Sequence, residues 1–132
     1  MYPKGVSMRP LIVQGRDSVV LKKSTDGRPK KHDIAFYRRD NGQFVLHRVM
    51  KIDRDGALVM CGDNQTALEY GIRRDQIIGY VCSMYKNDKP LSLSSLRYGA
   101  YKLFWCFMPL RRLVHLIRRA LSFVKRKILK IK

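Results

Sequence analysis

A chain of 132 residues provides one domain and leaves no room for a regulatory domain beside a catalytic one. Its 45% hydrophobic and 29% charged residues exclude a disordered or low-complexity protein. The 28 Lys and Arg residues against 10 Asp and Glu give a net charge of +18, which predicts an anionic partner, either nucleic acid or a lipid surface.

The positive charge is concentrated at the C-terminal end of the chain. Residues 1–88 hold 16 basic and 10 acidic side chains, whereas residues 89–132 hold 12 basic side chains and no acidic one. This difference predicts a compact domain over residues 1–88 and a basic tail over residues 89–132 with a different role.

The N-terminal part is typical of short antiparallel strands joined by tight turns. Asn41-Gly42 and Asp55-Gly56 are strong turn signals, because they supply the positive φ angles that a hairpin needs. A mainly β fold, a small barrel or sandwich, is therefore predicted. The predicted strands are residues 18–22, 33–38, 43–52, 57–61 and 76–85.

The tail has the pattern of an amphipathic basic helix. Ser94 or Ser95 can cap a helix, and Pro109 interrupts it or restarts it as a first-turn residue. Beyond it, apolar residues recur at steps of three and four, with basic residues mainly on the other side. The apolar positions are Leu110, Leu113, Val114, Ile117, Leu121, Val124, Ile128 and Ile131.

This helix is expected to bind an anionic membrane surface. Aromatic and basic side chains of this kind favour a membrane interface. The expected contacts are Trp105, Arg111, Arg112, Arg118 and Arg119. Two alternatives remain: the apolar stripe packs on the β domain, or the tail binds nucleic acid, which its apolar character disfavours.

The chain shows neither a secretory signal nor an apolar stretch of membrane-spanning length. We therefore expect a peripheral membrane protein, on a side of the membrane that the sequence leaves open, or otherwise a cytoplasmic one. Cys61, Cys82 and Cys106 lack C-x-x-C spacing and lie in apolar runs, which predicts buried free thiols rather than a disulfide framework or zinc site.

Two residues in the N-terminal part can form a nucleophile and its base. Ser7 stands in a loop between Gly5 and Pro10, and His47 lies in the middle of a predicted strand. A serine is a weak nucleophile until a neighbouring base takes its proton, and histidine is the natural base at neutral pH. Asp63 and Glu69 follow as candidate acids.

These segments resemble the S24/S26 serine peptidases, the type I signal peptidase and LexA-like clan. Residues 5–10 (G-V-S-M-R-P) are similar to the G-x-S-M-x-P nucleophile motif, and residues 45–49 (V-L-H-R-V) to the strand that carries the base. Residues 61–65 (C-G-D-N-Q) are similar to the G-D-N-N motif. Further matching segments are residues 15–20, 31–38 and 77–81.

The resemblance implies a signal-peptidase-like serine endopeptidase, a hydrolase that cleaves a leader or signal-type peptide, or another precursor, without a metal or organic cofactor. Ser7 would be the nucleophile. Ser7 and Met8 would also contact the substrate and the oxyanion that forms during its cleavage. His47 would be the general base, where most members of the family have lysine. Asp63 and Glu69 are equal candidates for the acid that orients it.

The chain departs from the family's pattern at its N-terminus. Signal peptidases usually carry a membrane anchor before the serine motif, and we expect this chain to lack one, with the basic helix providing membrane attachment. A self-cleaving repressor is not expected, since it needs a DNA-binding segment upstream. The alternative function is a catalytically inactive family member that binds a membrane surface through its basic tail.

Overall fold

The computed structural model describes residues 3, 5, 7–23 and 28–131, so Val6 of the serine motif lies outside the described residues. The described chain is mainly antiparallel β structure followed by two helices, which confirms the predicted mainly β fold. The strands are β1 (Asp17–Lys23), β2 (Ile34–Arg38), β3 (Phe44–Ile52), β4 (Leu58–Cys61), β5 (Glu69–Ile72), β6 (Ile77–Lys86) and β7 (Lys89–Leu91); the helices are α1 (Leu96–Trp105) and α2 (Met108–Ile131).

The seven strands form one sheet in the order β1-β6-β2-β3-β4-β5, with β7 paired to β6. A tight turn at Asn41-Gly42 joins β2 and β3, and Gly42 has the φ of 90° that favours glycine there. This turn sets the register in which Ala35 lies opposite His47 and Tyr37 lies opposite Val45. The hairpin therefore places Tyr37 diagonally across from His47.

Alternating residues of the sheet contribute to different apolar clusters. Val45 and Leu46 are neighbours on β3 but belong to different clusters, because successive side chains of a strand point to opposite faces. Leu46 packs with Met8 and Ile12 of the N-terminal loop. Buried apolar residues thus hold the loop that contains Ser7 against the sheet.

Three details differ from the sequence-based expectations. Strands β5 and β7 are not among the predicted strands, because each has only three or four residues and little apolar alternation. The sheet therefore extends past the expected boundary at residue 88. Cys82 is exposed, unlike buried Cys61 and Cys106, because it points away from the clusters on β6.

Helix α1 packs on the body of the domain. Its N-cap is Ser95, whose side chain accepts a hydrogen bond from the Tyr98 N–H at 3.2 Å, as the sequence predicts. Tyr98 is buried in the same cluster as Met8, and Tyr98, Tyr101 and Trp105 stack successively along the helix. Three of the aromatic residues of α1 thus form part of the fold, whereas Phe104 is exposed.

Helix α2 meets the body through its polar side. Arg111 is fully buried, and its guanidinium donates to the carbonyl oxygens of Gly62 and Gln65, both at 3.1 Å, and of Trp105 at 3.0 Å. Most of the apolar side of α2 is exposed, and only Leu110 and Val114 near its N-terminal end are half-buried, so the stripe does not pack on the β domain over most of its length. Over the described chain, neither helix is long and apolar enough to cross a membrane.

A buried ion pair joins the sheet to both helices. Arg48 on β3 and Asp63 after β4 are both fully buried, and two hydrogen bonds of 2.8 Å connect the guanidinium to the carboxylate. Asp63 also accepts a hydrogen bond from the Tyr101 hydroxyl at 2.7 Å, and its backbone carbonyl accepts one from Trp105 Nε1 at 2.6 Å. Arg111 Nη2 lies 3.8 Å from the same carboxylate.

We predict that Asp63→Asn lowers the free energy of unfolding by roughly 3–5 kcal/mol, because it leaves buried guanidinium groups without a carboxylate. Urea unfolding followed by circular dichroism measures the change. The control is Arg73→Met, which removes the exposed Arg73–Asp40 ion pair and should have little effect. An Asp63→Asn loss no larger than that of the control would contradict a structural role for the buried pair.

Candidate active site

The loop before β1 holds Ser7 in place through its backbone and its neighbours. The Ser7 carbonyl accepts a hydrogen bond from the Asn64 N–H at 2.7 Å, which ties the loop to the turn after β4. The Met8 side chain is buried, and its sulfur accepts from the Asp63 N–H at 3.4 Å. The loop is therefore anchored at Ser7 itself and at the residue that follows it.

Asp17 fixes the end of this loop. It is fully buried and accepts hydrogen bonds from the Val13 N–H at 2.9 Å, from Arg16 and from Lys86 Nζ. Burial alone would raise the pKa of the Asp17 carboxyl, but these hydrogen bonds outweigh it and hold the pKa well below its usual value. The carboxylate is therefore charged at neutral pH and braces the segment between the serine loop and β1.

Gly62 allows the serine loop to approach His47. A Cβ atom on Gly62 would lie 2.5 Å from the Ser7 carbonyl oxygen and 3.1 Å from His47 Cδ2. A side chain at this position would collide with the backbone of the serine loop, which explains why glycine occurs here. The close approach also shows that Ser7 and His47 flank the same residue.

Ser7 and His47 line one cleft of about 460 Å³ between the N-terminal loop and β3. The walls include Phe36 and Phe44, whose rings stack with centroids 5.8 Å apart. The cleft therefore combines a hydroxyl and an imidazole with apolar walls, as in sites that bind part of an extended apolar ligand. The remaining lining residues are Pro3, Gly5, Met8, Ile12, Arg39, Gln43, Val45, Leu46 and Gln65.

His47 is connected to an acid through a tyrosine. The Tyr37 hydroxyl lies 3.4 Å from His47 Nδ1 and donates a hydrogen bond to the Glu69 carboxylate. Arg39 Nε donates to the same carboxylate at 2.9 Å. Because Tyr37 donates its proton to Glu69, its oxygen can accept a proton from Nδ1, which leaves the other ring nitrogen, Nε2, as the proton acceptor.

The surroundings of His47 favour its neutral form. Burial lowers the pKa of His47, and the positive charge of Arg39 lowers it further, while Glu69 and Asp63 partly oppose these effects; the result is a pKa of about 4. Burial raises the pKa of Glu69, but hydrogen bonds from Tyr37 and Arg39 outweigh it and keep that pKa below its ordinary value. At neutral pH the site therefore has an unprotonated imidazole near a carboxylate.

The two candidate acids have different positions. The Asp63 carboxylate is bound by Arg48 and Tyr101, so its contacts are with the fold, and it acts on His47 through its charge. Glu69 reaches His47 through the Tyr37 hydroxyl. Of the two candidate acids, Glu69 is therefore the one that side-chain contacts connect to the imidazole.

The proposed membrane contacts divide into two groups. The expectation that Arg111 and Trp105 contact a membrane is corrected, because Arg111 is buried and Trp105 donates its indole N–H to the Asp63 carbonyl. Arg118 is exposed, and its guanidinium lies 5.9 Å from the centre of the Trp105 ring. Arg112 and Arg119 are exposed and remain available for a partner.

Sequence reasoning missed Tyr37 and Arg39. The Asn41-Gly42 turn fixes the β2–β3 register, so counting back along the hairpin would have placed Tyr37 diagonal to His47. Arg39 carried no such signal, since its pairing with Glu69 depends on how β5 meets the sheet. Among the residues described, no cluster of three or more His, Cys, Asp or Glu side chains can hold a metal ion.

Comparison of the chain with protein-family models, curated proteins and solved structures finds no match. The function of the protein must therefore be inferred from the geometry of this cleft together with the sequence motifs.

We predict that the His47 imidazole titrates with a midpoint near pH 4, well below the value of about 6.5 for an ordinary histidine. NMR of the labelled ring measures it, with His47→Gln identifying the signal. Because the folded chain binds this proton less tightly than the unfolded chain, this group also makes stability fall as pH falls from about 6.5 to about 4. Arg39→Gln should raise the midpoint.

The control for Arg39→Gln is Lys51→Gln, which removes an exposed cation outside the cleft and should leave the midpoint unchanged. A wild-type midpoint near 6.5, or equal midpoints in wild type and Arg39→Gln, would contradict the proposed electrostatics of the cleft.

Proposed function

We propose that this protein is a serine endopeptidase in which Ser7 is the nucleophile and His47 the general base. The single observation that carries the proposal is the cleft that both residues line, with His47 buried and held in its neutral form. The ordered resemblance of residues 5–85 to the signal peptidase and LexA-like clan supports the same assignment.

In the proposed reaction, the Ser7 hydroxyl oxygen attacks the carbonyl carbon of the scissile peptide bond while its proton passes to His47 Nε2. The C–N bond then breaks, the proton passes to the leaving amine, and the acyl group remains as an ester on Ser7. Water loses a proton to His47 and attacks this ester, which releases the carboxylate product and restores the Ser7 hydroxyl.

Tyr37 and Glu69 support this cycle as positioning residues. When His47 takes up a proton, Nδ1 can donate to the Tyr37 oxygen while Tyr37 donates to Glu69. The negative charge of Glu69 then stabilises the imidazolium that forms during attack. Arg39 opposes this effect by lowering the pKa of His47, so the neutral resting state is maintained at neutral pH.

The substrate class follows from the walls of the cleft. Phe36, Phe44 and Leu46 supply apolar surface beside Ser7, which suits an apolar side chain of an extended peptide. The sequence resemblance suggests a leader or signal-type segment, or another peptide precursor. Backbone pairing of an extended substrate with a strand would supply further binding energy without the need for a cofactor.

We predict that the full-length chain cleaves members of a mixed peptide library, read by mass spectrometry with and without lipid vesicles. Ser7→Ala and His47→Gln should each lower the rate by about a thousandfold or more, because each removes a partner of the proton transfer. The matched control is Ser122→Ala on the exposed part of α2, which should cleave at the wild-type rate.

Equal cleavage by wild type and Ser7→Ala would overturn the proposal. A wild-type chain that cleaves no library member under either condition would also count against it and would favour the alternative of an inactive relative that binds membranes.

A further inference from the structure

Helix α2 exposes a continuous apolar face. The helix has 24 residues, which corresponds to a length of about 36 Å. Five apolar residues at steps of three and four lie on one side, and about half or more of each is accessible to solvent. They are Leu113 (52% exposed), Ile117 (49%), Leu121 (64%), Val124 (50%) and Ile128 (52%).

The orientation of α2 is the reverse of that of an ordinary surface helix, which buries its apolar side against the core. Here Arg111 is buried against the turn after β4, and His115 and Arg118 lie beside the Trp105 ring. The polar side of the helix therefore faces the body near its N-terminal end. The five apolar residues lie on other sides of the helix from Arg111 and are exposed to solvent.

We propose that the apolar face of α2 docks on an anionic lipid bilayer, with the helix lying in the plane of the interface. Helix α2 carries eight Lys and Arg residues and no Asp or Glu, so its charge is complementary to an anionic surface. Docking of this kind goes beyond the proposed peptidase activity and does not depend on it.

The placement of the basic residues fits this occupant. At 100° per residue, Lys125 borders the apolar face on one side, about 40° from Leu121, and Lys127 borders it on the other, about 40° from Leu113. Long basic side chains in such positions extend their charged ends to lipid headgroups while their methylene groups stay on the apolar side. The Lys127 ammonium lies 5.3 Å from the centre of the Phe123 ring, which is within the range of a cation–π contact.

The other occupants fit less well. A second copy of the chain would bring together two molecules that each carry a net charge of +18, which opposes self-association. Nucleic acid would satisfy the positive charge but would leave the apolar face in water. A lipid surface accounts for both properties of the helix.

The test is sedimentation of the full-length chain with vesicles of phosphatidylcholine alone, or of phosphatidylcholine in which about a third of the lipid is anionic phosphatidylglycerol. The wild type should bind the anionic vesicles and bind the neutral ones much more weakly. Leu121→Gln with Ile128→Gln should lower the partition constant about tenfold or more, because apolar area is no longer buried.

A variant of the basic residues separates charge from apolar burial. Lys125→Gln with Lys127→Gln, which replaces the two basic residues that border the apolar face, should weaken binding to anionic vesicles by about fivefold per residue. The matched control is Ser122→Gln, adjacent to Leu121 but on the polar side, which should bind like the wild type, as should Ser7→Ala. Circular dichroism of each variant verifies that the exposed substitutions leave the fold unchanged.

Failure of the wild type to bind anionic vesicles would overturn the proposal. Equal binding of the wild type and the Leu121→Gln/Ile128→Gln variant would also overturn it, since adhesion would then be electrostatic alone. Sedimentation of the lipid-free chain as a dimer that this variant converts to a monomer would assign the face to a second copy instead. These outcomes are independent of peptide cleavage, so each proposal can fail without the other.

Discussion

The buried ion pair of Arg48 and Asp63 is the interaction on which the candidate site depends. Arg48 adjoins His47 on β3, and Asp63 adjoins Gly62, the residue against which the Ser7 backbone packs. One fully desolvated pair therefore sets the distance between the strand that carries the imidazole and the loop that carries the hydroxyl. Removing one partner from such a pair is costly, so the same contact that links the sheet to α1 also preserves the geometry of the cleft.

The groups around His47 act on its pKa in opposite directions. Burial and Arg39 keep the imidazole neutral, whereas the negative charge of Glu69 favours the protonated form that the proposed attack would produce. A base with a pKa of about 4 is available at neutral pH but accepts a proton weakly. A substrate bound in the cleft would displace water. Because charges interact more strongly where water is excluded, the effect of Glu69 on the pKa of His47 would then increase.

Much of this arrangement could be predicted from the sequence, and the missing parts have physical reasons. Strong local signals, such as the Asn41-Gly42 turn and the Ser95 cap, give the hairpin and α1 correctly, because they depend on neighbouring residues alone. The burial of Arg111 could not be predicted, since its pattern in α2 is that of a solvated arginine and its partners lie on a distant turn. The same holds for the different partners of the Asp63 and Glu69 carboxylates.

The measurement that tests the central claim most directly is peptide cleavage in the presence of hydroxylamine, with the products identified by mass spectrometry. If Ser7 forms an acyl ester, hydroxylamine competes with water for it, so the N-terminal product should appear partly as a hydroxamate in a proportion that rises with hydroxylamine concentration. The hydroxamate should disappear in Ser7→Ala together with cleavage. Cleavage that yields the free carboxylate alone at every hydroxylamine concentration, and that persists in Ser7→Ala, would contradict the account.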